Sequence, residues 1–215
     1  MSGVVEKVFW QNPYLTQLEA TVSSVDGCVI TLDKTIFFAF SGGQESDAGT
    51  IGGFVVEQAE KKDTQIFYTL PENHTLNPGD SVDVDIDWAR RHALMKLHFG
   101  AELTLLLMMN KYPDLEKIGS HIGESRSRID FMFPESICAQ LPWLQNALND
   151  IIHQNLSIDK GFSDEKAQRR YWKIDGFEPV SCGGTHLHTT GEIGALKLKR
   201  KNIGKGKERI EISLA

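Results

Sequence analysis

Cysteine is scarce in this 215-residue chain: Cys28, Cys138 and Cys182 are far apart and odd in number, which excludes a disulfide framework of the secreted mini-protein kind. Long apolar runs are missing too. The most apolar stretch, residues 103–109, falls far short of the roughly 18 residues that a membrane span requires. Residues 1–10 lack the basic-then-apolar layout of a secretory leader, so the expectation is a soluble, cytoplasmic protein with no membrane partner. Nor is there an excess of positive charge. Lys+Arg total 23 against 29 Asp+Glu, a net charge of −6, which gives no global attraction to nucleic acid. What remains is ordinary globular composition, 40% hydrophobic and 24% charged, which excludes disorder. At roughly 100–200 residues per domain the chain forms one large domain or two small ones.

Its organisation changes near residue 87. Before that point the pattern is β-like. Segments 20–25 and 28–32 flank Asp26-Gly27, a hairpin signal because a type I′ turn needs positive φ at both central residues. Glycines at 42, 43, 49, 52 and 53 and the turn Asn77-Pro78-Gly79 punctuate further short segments, including 54–58 and 65–70. Val82, Val84 and Ile86 alternate with polar neighbours at a period of two, which predicts a half-exposed strand. Residues 1–87 are therefore expected to form a small, glycine-rich, barrel-like β domain.

Residues 88–215 are expected to form an α+β domain with an antiparallel sheet and helices. Asp87 is a candidate N-cap for a helix to about Asn110, stopped by Tyr112-Pro113. A second helix is predicted over 134–155, started, kinked or divided by Pro142. A third is predicted over 163–170, where acids precede bases in the order that suits the helix dipole. Segments 128–133, 156–158, 194–199 and 209–214 read as strands.

The first helix carries the most informative local fact. With residues about 100° apart and Leu94 at the origin, Leu97, Ala101, Leu105, Met108 and Met109 fall within about 60° of it, while His98 falls at about 40° and Glu102 at about 80°. A carboxylate in an apolar sector is costly unless paired or bound to a cation. His98 and Glu102, at i and i+4, either form an ion pair at a partly wetted helix edge or converge on one metal ion. Downstream, Ser181-Cys182-Gly183-Gly184-Thr185-His186 sets a thiol and an imidazole with three residues between them, two of them glycines. Alone, that motif fits a buried structural cysteine beside a surface histidine. Taken with the helix pair it completes a candidate four-ligand set, His98, Glu102, Cys182 and His186, of the donor types zinc prefers.

Four blocks in order, residues 33–49, 90–102, 119–131 (GSHIGESRSRIDF) and 181–194 (SCGGTHLHTTGEIG), resemble the AlaX family, free-standing relatives of the alanyl-tRNA synthetase editing domain. The resemblance spans nearly the whole chain, including the N-terminal β domain of the medium-length members. It implies a zinc-bearing deacylase that hydrolyses alanine-specific tRNA mischarged with serine, and in some members glycine. By the family pattern, His-x-x-x-His and Cys-x-x-x-His motifs hold the metal and form the catalytic centre. His98, Cys182 and His186 match, and Glu102 stands in place of the second helix histidine. Direct ligation by Glu102 ranks first; a general-base role, or lost turnover in a non-catalytic zinc-containing RNA-binding module, are the alternatives. The Gly42-Gly43-Gln44 loop, near the editing pocket in the family, and Thr185 are the expected substrate contacts, with Asp47 holding the loop.

Charge distribution supplies the partner surface. Residues 197–209 carry seven bases, Lys197, Lys199, Arg200, Lys201, Lys205, Lys207 and Arg209, against the single acid Glu208. Leu196 and Leu198 alternate with Lys197 and Lys199, which sets those lysines on one exposed strand face. Lys166, Arg169, Arg170 and Lys173 around Trp172, and Arg90-Arg91, form smaller clusters. The expected phosphate-binding set for tRNA is Arg90, Arg91, Arg169, Arg170, Lys197, Lys199, Arg200, Lys201, Lys205 and Lys207.

Overall fold

The computed structural model describes residues 4–204 and 206–215; Lys205, one of the expected tRNA contacts, lies outside the described residues. The chain divides into two compact units, Met1–His92 and Ala93–Ala215.

The first unit contains β1 (Glu6–Lys7), β2 (Gln17–Asp26), β3 (Val29–Leu32), β4 (Lys34–Thr35), β5 (Gly49–Ile51), β6 (Phe54–Val55), β7 (Gln58–Lys62), β8 (Gln65–Thr69) and β9 (Ser81–Ile86). β1 and β4 form a short parallel pair. The other strands make a sheet in the order β6-β5-β9-β2-β3-β8-β7. The long β2 serves two neighbours: Gln17–Thr21 pairs with β9 and Val22–Asp26 with β3. Val82, Val84 and Ile86 turn inward as their period-two spacing predicts, and join Ala20, Val22, Ile30, Leu32, Ile51 and Tyr68 in one buried core. Among the described residues β6 and β7 end this ladder, a curled half-barrel sheet that meets the barrel-like expectation in part. The first hairpin also turns one residue later than its sequence signal. Asp26 already pairs with Val29, and positive φ falls on Gly27 (56°) but not on Cys28, the pattern of a II′ rather than a I′ turn.

In the second unit, β10 (Glu116–Ile122), β11 (Ser127–Met132), β15 (Leu196–Gly204) and β16 (Lys207–Leu214) form an antiparallel sheet in the order β10-β11-β16-β15. A three-stranded sheet contains β12 (Asp159–Asp164), β13 (Arg169–Lys173) and β14 (Val180–Ser181). Two helices accompany them. α1 (Trp88–Lys111) begins where Asp87 caps it, the Arg90 amide donating to Asp87 Oδ1 at 3.1 Å. α1 is buried nearly all round: Phe99 and Leu103, outside the predicted apolar sector, are fully buried, and Met109 inside it is exposed. Gly100 explains the close docking of α1 on the large sheet, since a Cβ there would sit 3.0 Å from a Leu196 methyl. Ser127 Oγ, donating to the Leu97 carbonyl at 3.1 Å, adds a second tie between sheet and helix.

The predicted 134–155 helix is a 3-10 turn (Ile137–Gln140) followed by α2 (Leu141–Gln154), with Pro142 in its first turn and Asn155 in a left-handed cap. That is the start role among those open to Pro142. Segment 156–158 contributes only a bridge, Ser157 to Thr189. The predicted third helix over 163–170 is instead the turn of the β12–β13 hairpin, where Asp164 Oδ1 accepts from the Ala167 amide and Gln168 adopts φ 52°. Charge order along a helix is worth about 0.3–1 kcal/mol. Burying Arg170 and Trp172 on one face of β13, with Arg169 and Lys173 exposed on the other, outweighs it, because a buried large apolar side chain contributes about 1.5–3 kcal/mol.

The first unit is closed by a buried ion pair. Arg91, at the start of α1, and Asp47 both have fully buried side chains in contact. Arg91 also donates to the Pro13 and Ile36 carbonyls at 2.9 and 2.5 Å, and Asp47 Oδ2 accepts from the Phe38 amide at 2.6 Å. Asp47→Ala would leave a guanidinium buried without its counter-charge. Urea denaturation should show a loss of about 3–5 kcal/mol.

Candidate metal centre

His98 and Glu102 project from successive turns of α1, as an i,i+4 pair must. Cys182 follows directly on β14, and its amide donates to the Arg170 carbonyl at 3.0 Å, so the strand register of the small sheet fixes the thiol. His186 lies four residues on, in a segment held from β12: Lys160 Nζ donates to the Leu187 carbonyl at 3.1 Å and the His186 carbonyl at 3.5 Å.

These elements bring the four predicted residues together. One donor atom from each of His98, Glu102, Cys182 and His186 lies within 4.8 Å of the others. His98 Nε2 is 3.2 Å from Cys182 Sγ and 3.8 Å from Glu102 Oε1. Ligands at zinc's usual bond lengths in a tetrahedron stand about 3.3–3.8 Å apart, so the group needs little adjustment to close on one ion. The two readings of the helix pair are therefore not exclusive: the contact exists, and a thiol and second imidazole share it.

Electrostatics favour a cation. Burial holds both imidazoles below their ordinary range, His98 despite the opposing Glu102 carboxylate, and His186 further still because His98, Arg170 and Lys160 are nearby. Neutral imidazoles keep a lone pair for a metal. Burial pushes the Cys182 thiol up, Glu102 adds to the rise, and the Gly184 amide and Arg170 only partly oppose it. Such a thiol becomes a thiolate ligand when a cation compensates its charge. Both ring nitrogens of His186 are buried without a hydrogen-bond partner among the described residues. An orphaned imidazole is costly, and a metal resolves it. The residues fit a metal ion.

One contributor escapes sequence reasoning. Trp172 Nε1 donates to Glu102 Oε2, and its ring packs edge-on against Phe99 with centroids 4.8 Å apart. In the sequence Trp172 stands out only as an aromatic among bases; the period-two pattern of Arg170, Trp172 and Ile174 is the signal that turns it inward.

The remaining predicted residues are distributed over both units. Within the first unit, Gly42 and Gly43 carry positive φ (61° and 87°) in a turn closed by reciprocal Ser41 and Gln44 backbone bonds, and Gln44 is buried rather than solvated. Arg90 donates to Glu45 at 2.8 Å and to the Ser46 carbonyl at 3.1 Å. Arg91 is fully buried, so its expected contact with tRNA phosphate is corrected: the guanidinium holds Asp47. In the second unit Thr185 is buried, and Arg170 is only 5% exposed and stacked over Phe162, which likewise removes Arg170 from the open surface. Arg200 is engaged by Glu208 through two bonds of 2.6 Å. Arg169, Lys197, Lys199, Lys201 and Lys207 are exposed.

Known proteins point the same way. Residues 173–211 match the family described as threonyl and alanyl tRNA synthetase second additional domain, and residues 5–90 match tRNA synthetases class II (A). Over its whole length the chain is 32% identical to the alanyl-tRNA editing protein AlaX-M of Pyrococcus horikoshii, covering 100% of both chains. It is 31% identical to the AlaX-M of Methanosarcina mazei, over 98% of this chain and 97% of that one. It is also 28% identical to an alanine-tRNA ligase of Methanococcus maripaludis, over 97% of this chain but only 26% of the ligase. The chain belongs to the AlaX family of alanyl-tRNA editing proteins.

Proposed function

We propose that this chain is a zinc-dependent trans-editing deacylase that hydrolyses the ester between a wrong amino acid, serine or glycine, and tRNA specific for alanine. The observation that carries this reading is the convergence of His98, Glu102, Cys182 and His186 in a chain related end to end to alanyl-tRNA editing proteins. In this reading residues 1–87 form the accessory β domain and 88–215 the editing domain. His98, Glu102, Cys182 and His186 hold the ion, which when bound supplies Lewis acidity toward the ester carbonyl.

The reaction consumes one water. Its oxygen adds to the carbonyl carbon, the bond to the terminal ribose oxygen breaks, that oxygen takes the proton, and the free amino acid leaves. An aminoacyl ester is already activated, so the protein's contribution is to position the carbonyl and exclude competing orientations. We assign substrate contact within the second unit to Thr185, buried and adjacent in sequence to the His186 donor. A pocket that hydrogen-bonds the serine hydroxyl can reject alanine by about 10⁴–10⁵, whereas a pocket sensing only size achieves about 10–200-fold.

The tRNA surface in this proposal is the outer face of β15 and β16. Lys197, Lys199 and Lys201 alternate outward along β15, and cross-strand register puts Lys201 beside Arg209 on the same face. Arg209 is already bonded to Asp130, which leaves the exposed lysines and Arg169 as the phosphate contacts.

Cys182→Ser and His186→Ala should each weaken zinc binding by about 100-fold or more, beyond what outer-sphere changes cost, measured by chelator competition, with circular dichroism retained. Single-turnover assays should show rapid loss of serine from seryl-tRNA and retention of alanine, both on the alanine tRNA. Tight tRNA binding without hydrolysis at full zinc occupancy would instead identify an RNA-binding module that lost turnover through Glu102. Replacing Lys197, Lys199 and Lys201 together by alanine should reduce the slope of log affinity against log salt by about 2–3, as read by filter binding.

A further inference from the structure

Glu102 presents two oxygens to different surroundings. Oε1 lies 3.8 Å from His98 Nε2, within the donor group. Oε2 is held by the Trp172 indole N–H. Trp172 is itself fixed: it is fully buried, packs on Phe99, and sits in the central strand of the small sheet opposite Lys160 of β12 and Val180 of β14.

The chemistry of that pairing is selective. An indole N–H donates and cannot accept, so the atom it meets must be an acceptor. Glutamate satisfies this with Oε2 and keeps Oε1, beside His98 Nε2, as a second acceptor. A ligating histidine would not, because its second ring nitrogen carries a proton and needs an acceptor of its own. Glutamate also has one more side-chain torsion than histidine, and more rotamer freedom to lose before it can ligate; the bond from Trp172 restricts that freedom.

We propose that Trp172 is a positioning residue that pins Oε2 of Glu102 and thereby aims Oε1 at the metal, making Glu102 and Trp172 one functional unit in which the indole suits a carboxylate ligand and not an imidazole. This inference rests on the reading of the four residues as a metal site, and deepens it.

The test uses the full chain, stripped with chelator and reloaded with zinc or cobalt(II). Trp172→Phe should weaken zinc binding by about 10–100-fold and shift the visible ligand-field bands of the cobalt form. In a Glu102→His background the same substitution should change zinc affinity by less than about threefold, because the bond it removes is already gone. Benzothienylalanine at position 172 keeps the bicyclic ring and removes only the N–H, so its incorporation should reproduce the Trp172→Phe loss with the packing intact. Equal losses in the wild-type and Glu102→His backgrounds, or unaltered affinity and cobalt bands with benzothienylalanine, would overturn the proposal while leaving the metal site standing. A wild-type chain that takes up neither zinc nor cobalt overturns the metal reading, and the inference with it.

Discussion

A carboxylate turned toward the buried side of a helix sets the constraint on the second unit. Glu102 is only partly exposed, so its carboxylate needs polar partners, and α1 is too deeply packed to rotate it outward, with Leu94, Phe99, Leu103 and Met108 all fully buried. The structure answers from two directions. His98 lies beside Oε1 and the Trp172 indole holds Oε2, with Cys182 and His186 in the same donor group. Each of those partners carries its own packing demand. Shifting any one of them exposes an unsatisfied polar group in a low-dielectric site, where such groups cost most.

The small sheet is what makes the convergence possible. Cys182 is placed by its amide bond to Arg170, Trp172 by its place in the central strand, and His186 by Lys160 reaching from β12 to the His186 and Leu187 carbonyls. Three of the groups around the candidate ion thus depend on the register of β12, β13 and β14. Lys160 and Arg170 also bring positive charge close to the donors, and each is pushed below its ordinary range, first by burial; Arg170 adds to the effect on Lys160 and the Cys182 sulfur opposes it for Arg170. These two cations beside the carboxylate offset part of the negative charge that Glu102 brings to the donor group.

The donor set was legible because it violates a local rule. A carboxylate in an apolar helical sector is an anomaly that periodicity exposes, and a thiol four residues before an imidazole is a second cue in the sequence. The capped start of α1 and the alternation of β9 were legible for the ordinary reason that one period dominates the segment. The β12–β13 hairpin was not. Its turn residues Glu165, Lys166 and Ala167 favour a helix, and the alternation that overrules them begins only at Arg170 and is hidden among charged and aromatic neighbours. Arg91 failed differently: sequence shows a cation next to another cation, but only the fold brings Asp47 and the Pro13 and Ile36 carbonyls around it.

Sorting the cations by what they meet changes how the acidic net charge is understood. Arg91, Arg200 and Arg209 are matched to Asp47, Glu208 and Asp130, and Arg170 is buried beside the donor group, so the arginines of these clusters serve mainly to hold loops and strands in place. That suits a planar fork able to bond a carboxylate with two parallel bonds. The lysines Lys197, Lys199 and Lys201 instead stay exposed, in register on one strand. Exposed ammonium groups spaced two residues apart along an extended strand stand about 6.5 Å from one another, close to the spacing of successive phosphates in a single strand. In the proposed tRNA reading these exposed lysines supply a local basic track that the net charge of −6 conceals, and charge concentrated in one place orients an approaching polyanion.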